Sequence, residues 1–157
     1  MKQASARLSE VAASGKSGAT PSEAQPPLRV LLAEDDDAAR IALAYILQSV
    51  GFQVRQAKNG LEALAEAARG QDVILLDIQM PMLDGIRTLQ GLRNNPDTAN
   101  AAVIILTSHA SRDCVLKCAQ MGADGFVVKQ TMELDVLVEK IHAAIQSRQA
   151  RLASAAH

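Results

Sequence analysis

Two acidic groups in this chain follow apolar runs closely enough to do chemistry together. Asp77 ends the run Val73-Ile74-Leu75-Leu76 and precedes Met80-Pro81 and Asp84-Gly85. The cluster Glu34-Asp35-Asp36-Asp37 follows a second apolar run, Leu28 to Ala33. Short apolar runs of this kind read as buried strands, and open α/β sheets place their ligands at the carboxyl ends of strands. Two such ends side by side aim three or more carboxylates at one point. That costs repulsion unless a cation or a proton sits between them. Thr107 and Lys129 end two further apolar runs, Val103 to Leu106 and Phe126 to Val128. If the strands are parallel, all four ends project from one edge of the sheet. A carboxylate there can attack a phosphoryl group in line. A divalent ion held by its neighbours can neutralise charge on the phosphoryl oxygens. A lysine and a hydroxyl can bind the remaining oxygens. No histidine base is required, because a carboxylate is already ionised at neutral pH.

The intervening sequence supplies the elements that must hold these groups. Leu28 to Ala33 reads as the first strand. Asp36 or Asp37 then caps a helix running to about Val50, with Ile41, Ala44, Leu47 and Leu43 on its inner face, and Gly51 stops it. Phe52 to Ala57 is a second strand. Asn59-Gly60 turns into a helix through about Arg69. Asp72 to Leu76 is a third strand, followed by a helix from Gly85 to about Arg93 and the polar loop 94–98. Val103 to Leu106 is a fourth strand and Ser111 to Met121 a fourth helix. Phe126 to Val128 is a fifth strand. The last helix starts near Glu133, carries Leu134, Leu137, Val138, Ile141 and Ile145 at helical spacing, and frays after about Gln149. Five such β–α units predict an α/β fold: a five-stranded parallel sheet flanked by five helices.

Composition narrows the class. The chain has 157 residues, enough for one domain, and 48% of them are apolar. With two Phe, one Tyr and no Trp, its core must be built from aliphatic side chains, which suits helices packed on a parallel sheet. A net charge of −1 gives no field to recruit nucleic acid. No apolar stretch is long enough to predict a transmembrane helix, and the N-terminus lacks the apolar segment of a secretory signal. Two cysteines, Cys114 and Cys118, suit a cytoplasmic protein with reduced thiols, and read as small buried or half-buried side chains. Residues 1–27 are rich in Ala, Ser, Gly and Pro and read as a disordered tail. Gly15-Lys16-Ser17 lacks the glycine and the strand that a phosphate-binding loop requires before it.

From Leu28 to about Gln149 the chain resembles the receiver domain of two-component response regulators, and is similar to single-domain chemotaxis-type regulators. The resemblance is carried by residues 30–36 (Val-Leu-Leu-Ala-Glu-Asp-Asp), 75–85 (Leu-Leu-Asp-Ile-Gln-Met-Pro-Met-Leu-Asp-Gly), 105–108 (Ile-Leu-Thr-Ser) and 125–129 (Gly-Phe-Val-Val-Lys). It implies a flavodoxin-like strand order 2-1-3-4-5, a receiver domain over 28–149 and a short extension over 150–157. It implies that Asp77 is the phosphoacceptor. Glu34 and Asp35 would bind Mg²⁺ with Asp77 and the backbone carbonyl of Gln79. Thr107 would be the switch hydroxyl, Lys129 the contact to a phosphoryl oxygen, and Phe126 the switch aromatic. The donor would be a sensor histidine kinase or a histidine phosphotransfer protein, and the readout a downstream protein rather than nucleic acid or membrane. No second domain is legible after residue 150, so the expectation is a stand-alone receiver, not an enzyme beyond accepting and losing its own phosphoryl group.

The family often places Pro after the lysine, through a cis bond. Here Gln130 follows. A cis bond before Gln costs about 3–4 kcal/mol, so a trans bond is expected. His109 lies two residues past Thr107 and reads either as a group that tunes dephosphorylation or as a solvated loop residue. His142, on the last helix, is expected to be exposed. One rival class, Mg²⁺-dependent phosphatases with an aspartyl nucleophile, needs a second acidic residue two positions after the first. Gln79 stands there. The other rival is a receiver-fold interaction module that works without phosphorylation. Such modules usually lack the acceptor or the acidic pair, and both are present here.

Overall fold

The structure is a computed structural model that describes residues 25–108 and 111–155. Residues 1–24 of the tail expected over 1–27, and His109, lie outside the described residues. Five strands form one parallel sheet: β1 (Arg29–Ala33), β2 (Gln53–Ala57), β3 (Val73–Asp77), β4 (Ala102–Thr107) and β5 (Gly125–Val128). Their order is β2-β1-β3-β4-β5, as the resemblance implied. Four helices join them, α1 (Asp37–Ser49), α2 (Gly60–Ala67), α3 (Gly85–Asn94) and α4 (Arg112–Gln120), and α5 (Leu134–Ala155) follows β5.

Alternation along the strands builds two cores. Val30 and Leu32 of β1, Val73 and Leu75 of β3, and Ile104 and Leu106 of β4 face α1 and α5, where Ala44, Leu47, Leu137 and Ile141 close the layer. Leu31, Ile74, Leu76, Val103 and Ile105 point the other way, against Ala63, Leu89, Leu92 and Cys118 of α2, α3 and α4. The central strands β3 and β4 are buried at every residue, as strands covered on both faces must be. The register pairs Ala33 with Leu76 and Asp77 with Leu106. The ends of β1, β3 and β4 therefore lie side by side.

Local signals set the helix starts. Asp36, Asn59, Asp84 and Ser111 each accept a hydrogen bond from the backbone N–H three residues on, at 2.8, 2.9, 2.8 and 3.2 Å. Gly51, at φ 104°, takes the left-handed conformation that lets the chain leave α1 for β2.

Two details depart from the sequence reading. Ile41 is 58% exposed, not on the inner face of α1. Arg40 takes that place beside Ala44 and Leu47, because positions 40, 44 and 47 share a helical face and the arginine finds polar partners inside. Tyr45 also points outward, 72% exposed. Helix α5 continues past Gln149 to Ala155, held by Arg148 and Arg151, which both pair with Asp124. No cis peptide bond occurs among the described residues. The bond before Gln130 is therefore trans as expected, and residues Lys129–Thr131 form one 3₁₀ turn.

Candidate functional site

Three carboxylates meet at the carboxyl edge of the sheet. Asp77 is the last residue of β3, and Glu34 and Asp35 form the turn from β1 into α1. One carboxylate oxygen from each lies within 4.8 Å of the others. Glu34 and Asp77 are buried, while Asp35 is exposed at the mouth. Buried carboxylates this close repel, and each must be compensated.

The compensation is visible for two of them. The Lys129 ammonium, just past β5, donates to Asp77 Oδ2 at 2.9 Å and to Glu34 Oε1. Burial works against the lysine's charge, but hydrogen bonds and attraction from Glu34 and Asp77 outweigh it, so its pKa lies above the ordinary value. Asp77 Oδ1 accepts from the Gln79 N–H at 3.2 Å, and Glu34 Oε2 from the Asp36 N–H at 3.2 Å. Asp35 is relieved less: a backbone hydrogen bond and the Lys129 charge favour its ionised form but do not prevail. Desolvation, then the hydrogen bond and charge of Glu34, push its carboxyl above the ordinary carboxylate value.

The backbone around Asp77 is tight. A Cβ at Gly85 would stand 2.4 Å from the Asp77 carbonyl oxygen and 2.6 Å from Ile78 Cα, so only glycine lets α3 start this close to the end of β3. The Gly85 N–H donates to the Ile78 carbonyl at 2.8 Å. Between them, the Leu83 N–H donates to Pro81 O at 2.7 Å across Met82, which holds φ 68°. That three-residue turn is a rare and strained conformation for a side-chain-bearing residue.

The remaining sequence-selected residues sit on the neighbouring strand ends. Thr107 is the buried last residue of β4 and pairs in register with Val128, next to Lys129. Phe126, half-buried on β5, is in register with Ile105 and packs against the α2–α4 face. Gln79 meets Asp77 through its own backbone N–H. His142 is exposed, with its ring 6.2 Å from that of Phe52. Cys118 is buried and Cys114 half-buried, both as free thiols.

Sequence reasoning missed Arg40. Its guanidinium is buried, with the side chain 5% exposed. It donates from Nη1 to the Glu34 carbonyl at 3.0 Å, from Nε to Gln56 Oε1 at 3.1 Å, and from Nη2 to Asp37 Oδ1 at 2.6 Å. An arginine after four acidic residues and two alanines looks like any solvated helix residue. The one available signal was its spacing from Ala44 and Leu47.

The donor set fits a small hard cation: three carboxylates converge, and hard divalent ions prefer oxygen ligands. Among the described residues this is the one cluster of its kind. The edge thus joins a buried carboxylate on a strand end, two acidic neighbours, a paired lysine and a hydroxyl.

Residues 30–142 match the family model of the response regulator receiver domain. A gliding motility regulatory protein of Myxococcus xanthus is 36% identical over 123 residues, which span 78% of this chain and 16% of that protein. A probable chemotaxis protein CheY of Rhizobium etli is 34% identical over 122 residues, spanning 76% of this chain and 91% of that one. The receiver domain of a sensor histidine kinase from Pseudomonas aeruginosa, solved with a magnesium ion coordinated in its active site cleft, superposes with a TM-score of 0.70 at 26% identity. That match covers 76% of this chain and 98% of the other.

Proposed function

Because the chain belongs to the response regulator receiver family, we propose that it accepts a phosphoryl group on Asp77, with Mg²⁺ bound, and signals by protein–protein contact. The observation that carries this reading is the convergence of Glu34, Asp35 and Asp77 within 4.8 Å, with Lys129 bridging two of them. The donor is the phosphohistidine of a sensor histidine kinase or a histidine phosphotransfer protein. The free thiols of Cys114 and Cys118 suit action in the cytoplasm.

The chain's own residues have defined tasks in this reading. An Asp77 carboxylate oxygen attacks phosphorus in line, a P–O bond forms, the P–N bond to the donor imidazole breaks, and the imidazole leaves with the electron pair. Glu34, Asp35, Asp77 and the Gln79 carbonyl would hold Mg²⁺, whose charge offsets that of the phosphoryl oxygens. Lys129 leaves its carboxylate partners for a phosphoryl oxygen, and the Thr107 hydroxyl turns to another. Phe126 then repacks, altering the α4–β5 face that a partner reads. Shifting such a two-state equilibrium from 1:99 to 99:1 requires about 5.5 kcal/mol. Hydrogen bonds to charged groups are worth about 1.5–3 kcal/mol each, so two or three new contacts suffice. Gln79 at the second position after Asp77 leaves no acid–base group of the phosphatase kind, so turnover of external substrates is disfavoured.

Intact mass after incubation with acetyl phosphate and Mg²⁺ tests the reading. Wild type gains one phosphoryl mass, and Asp77→Asn gains none. An unmodified wild type under acetyl phosphate and under a panel of phosphohistidine donors would instead favour a phosphorylation-independent module.

A further inference from the structure

We propose that Arg40 is a positioning residue for the acidic pair, fixing where Glu34 and Asp35 present their oxygens and so setting the site's affinity for a divalent cation. This rests on the metal-binding reading of the cluster.

Arg40 stands where the dipole of its own helix disfavours a cation. It lies in the first turn of α1, where the unpaired N–H groups already give positive potential. It is also nearly excluded from water, which disfavours charge further. Capping does not explain it, since Asp36 already caps α1 through the Ala39 N–H at 2.8 Å. Its three nitrogens instead bracket three places: the Glu34 carbonyl in the turn, Gln56 at the end of β2, and Asp37 at the start of α1.

The bracket completes the fixing of Glu34. That residue's N–H donates to the Ala57 carbonyl at 3.0 Å. Its carboxylate accepts from the Asp36 N–H and from Lys129, and its carbonyl accepts from Arg40. With both peptide groups flanking Glu34 held, the following residue, Asp35, starts from a fixed backbone although its own side chain is exposed. A lysine cannot reproduce this, because one nitrogen cannot reach three acceptors in a planar fork.

Position and charge predict opposite signs. A buried cation beside the cluster opposes a second cation, so loss of charge alone tightens Mg²⁺ binding. Loss of position loosens it. Partners behind metal ligands typically contribute about 10–100-fold in affinity.

The test is Mg²⁺ titration of the intact chain by calorimetry, for wild type, Arg40→Lys and Arg40→Met, with amide exchange of Asp35 and Asp36 followed in the metal-free proteins. Both variants are expected to weaken Mg²⁺ binding about tenfold or more and to speed exchange at these two amides, with lysine failing to rescue. Unchanged affinity in Arg40→Lys, or tighter binding in Arg40→Met, overturns the proposal. Should both variants unfold, Gln56→Ala decides: it leaves Arg40 in place and removes one anchor of its fork, and Mg²⁺ binding equal to wild type overturns the proposal. Absence of Mg²⁺ binding in wild type would overturn the metal-site reading itself, a separate result.

Discussion

Lys129 shows how a side chain proposed to meet the phosphoryl group can also be a structural one. It neutralises two buried carboxylates; removing it leaves both without their cation. Lys129→Met is therefore expected to lower metal-free stability by roughly 1–3 kcal/mol, read as a drop in melting temperature. Millimolar Mg²⁺ should restore more of that loss than it adds to wild type, since in the proposed reading the ion binds the folded carboxylates and not the unfolded chain. Equal Mg²⁺ shifts in the two proteins would show that the lysine and the ion do not share the site. Cys118 carries a different pH signature. Burial, with the Cys114 thiol beside it, raises its pKa from 9.0 to about 11. The folded state therefore keeps its proton when the unfolded chain has already lost it. The stabilisation is complete below pH 9.0 and declines as pH rises towards about 11. Urea midpoints across that window should fall more steeply for wild type than for Cys118→Ala. The identities at this scale were the most legible part of the chain, because Glu34, Asp35, Asp77, Thr107 and Lys129 each end an apolar run. The bridge from Lys129 to Glu34 was not, since those residues are 95 positions apart and only the strand order brings them together.

Helix α1 shows where reading by periodicity fails. Ile41 is apolar and Arg40 charged, yet the arginine is inside. Polar partners on neighbouring elements decided the rotation of the helix, and none of them is visible in a one-dimensional pattern. The consequence is measurable. Leu47→Ala, at a fully buried position, should cost about 2–5 kcal/mol, whereas Ile41→Ala should change stability by less than about 0.5 kcal/mol. Chemical denaturation compares the two directly, and a large loss at Ile41 would contradict the rotation described. The far end of the sheet holds a second cluster that the sequence concealed. Asp124, in the loop before β5, accepts from Val103 N–H at 2.9 Å, from Arg93 at 3.1 Å and from Arg148 at 2.9 Å. Arg151 stands 3.5 Å away. Burial, and then the nearby Arg148 charge, lower the Arg93 pKa, so these guanidiniums depend on their single carboxylate. Asp124→Ala should cost about 3–5 kcal/mol and loosen the last turns of α5, seen as lost helical signal and faster amide exchange beyond Arg148. In the sequence Asp124 is one polar residue in a Gly-rich turn, with nothing to mark it.

At the scale of the molecule, the alternation of apolar runs with helical patterns made the sheet, its parallel sense and the side on which the acidic groups gather legible before any coordinates. What stayed hidden was polar and tertiary: the Arg40 bracket, the Asp124 cluster and the continuation of α5. The Asp124 cluster and the continuation of α5 depend on contacts between elements distant in sequence, and the Arg40 bracket on partners in the adjoining turn and strand. The two polar clusters thus occupy opposite edges of one sheet, with the carboxylates at the carboxyl ends of the strands and the guanidinium cluster at the amino ends. The exposed position of Tyr45 has a spectroscopic consequence. It is the chain's one tyrosine, and there is no tryptophan, so near-ultraviolet emission comes from a single ring on the outer face of α1. A molecule settling on that face would change the quenching and lifetime of this one emitter without any label. A molecule binding elsewhere would leave its direct exposure to quencher unchanged, so the two kinds of contact can be told apart in an unmodified protein.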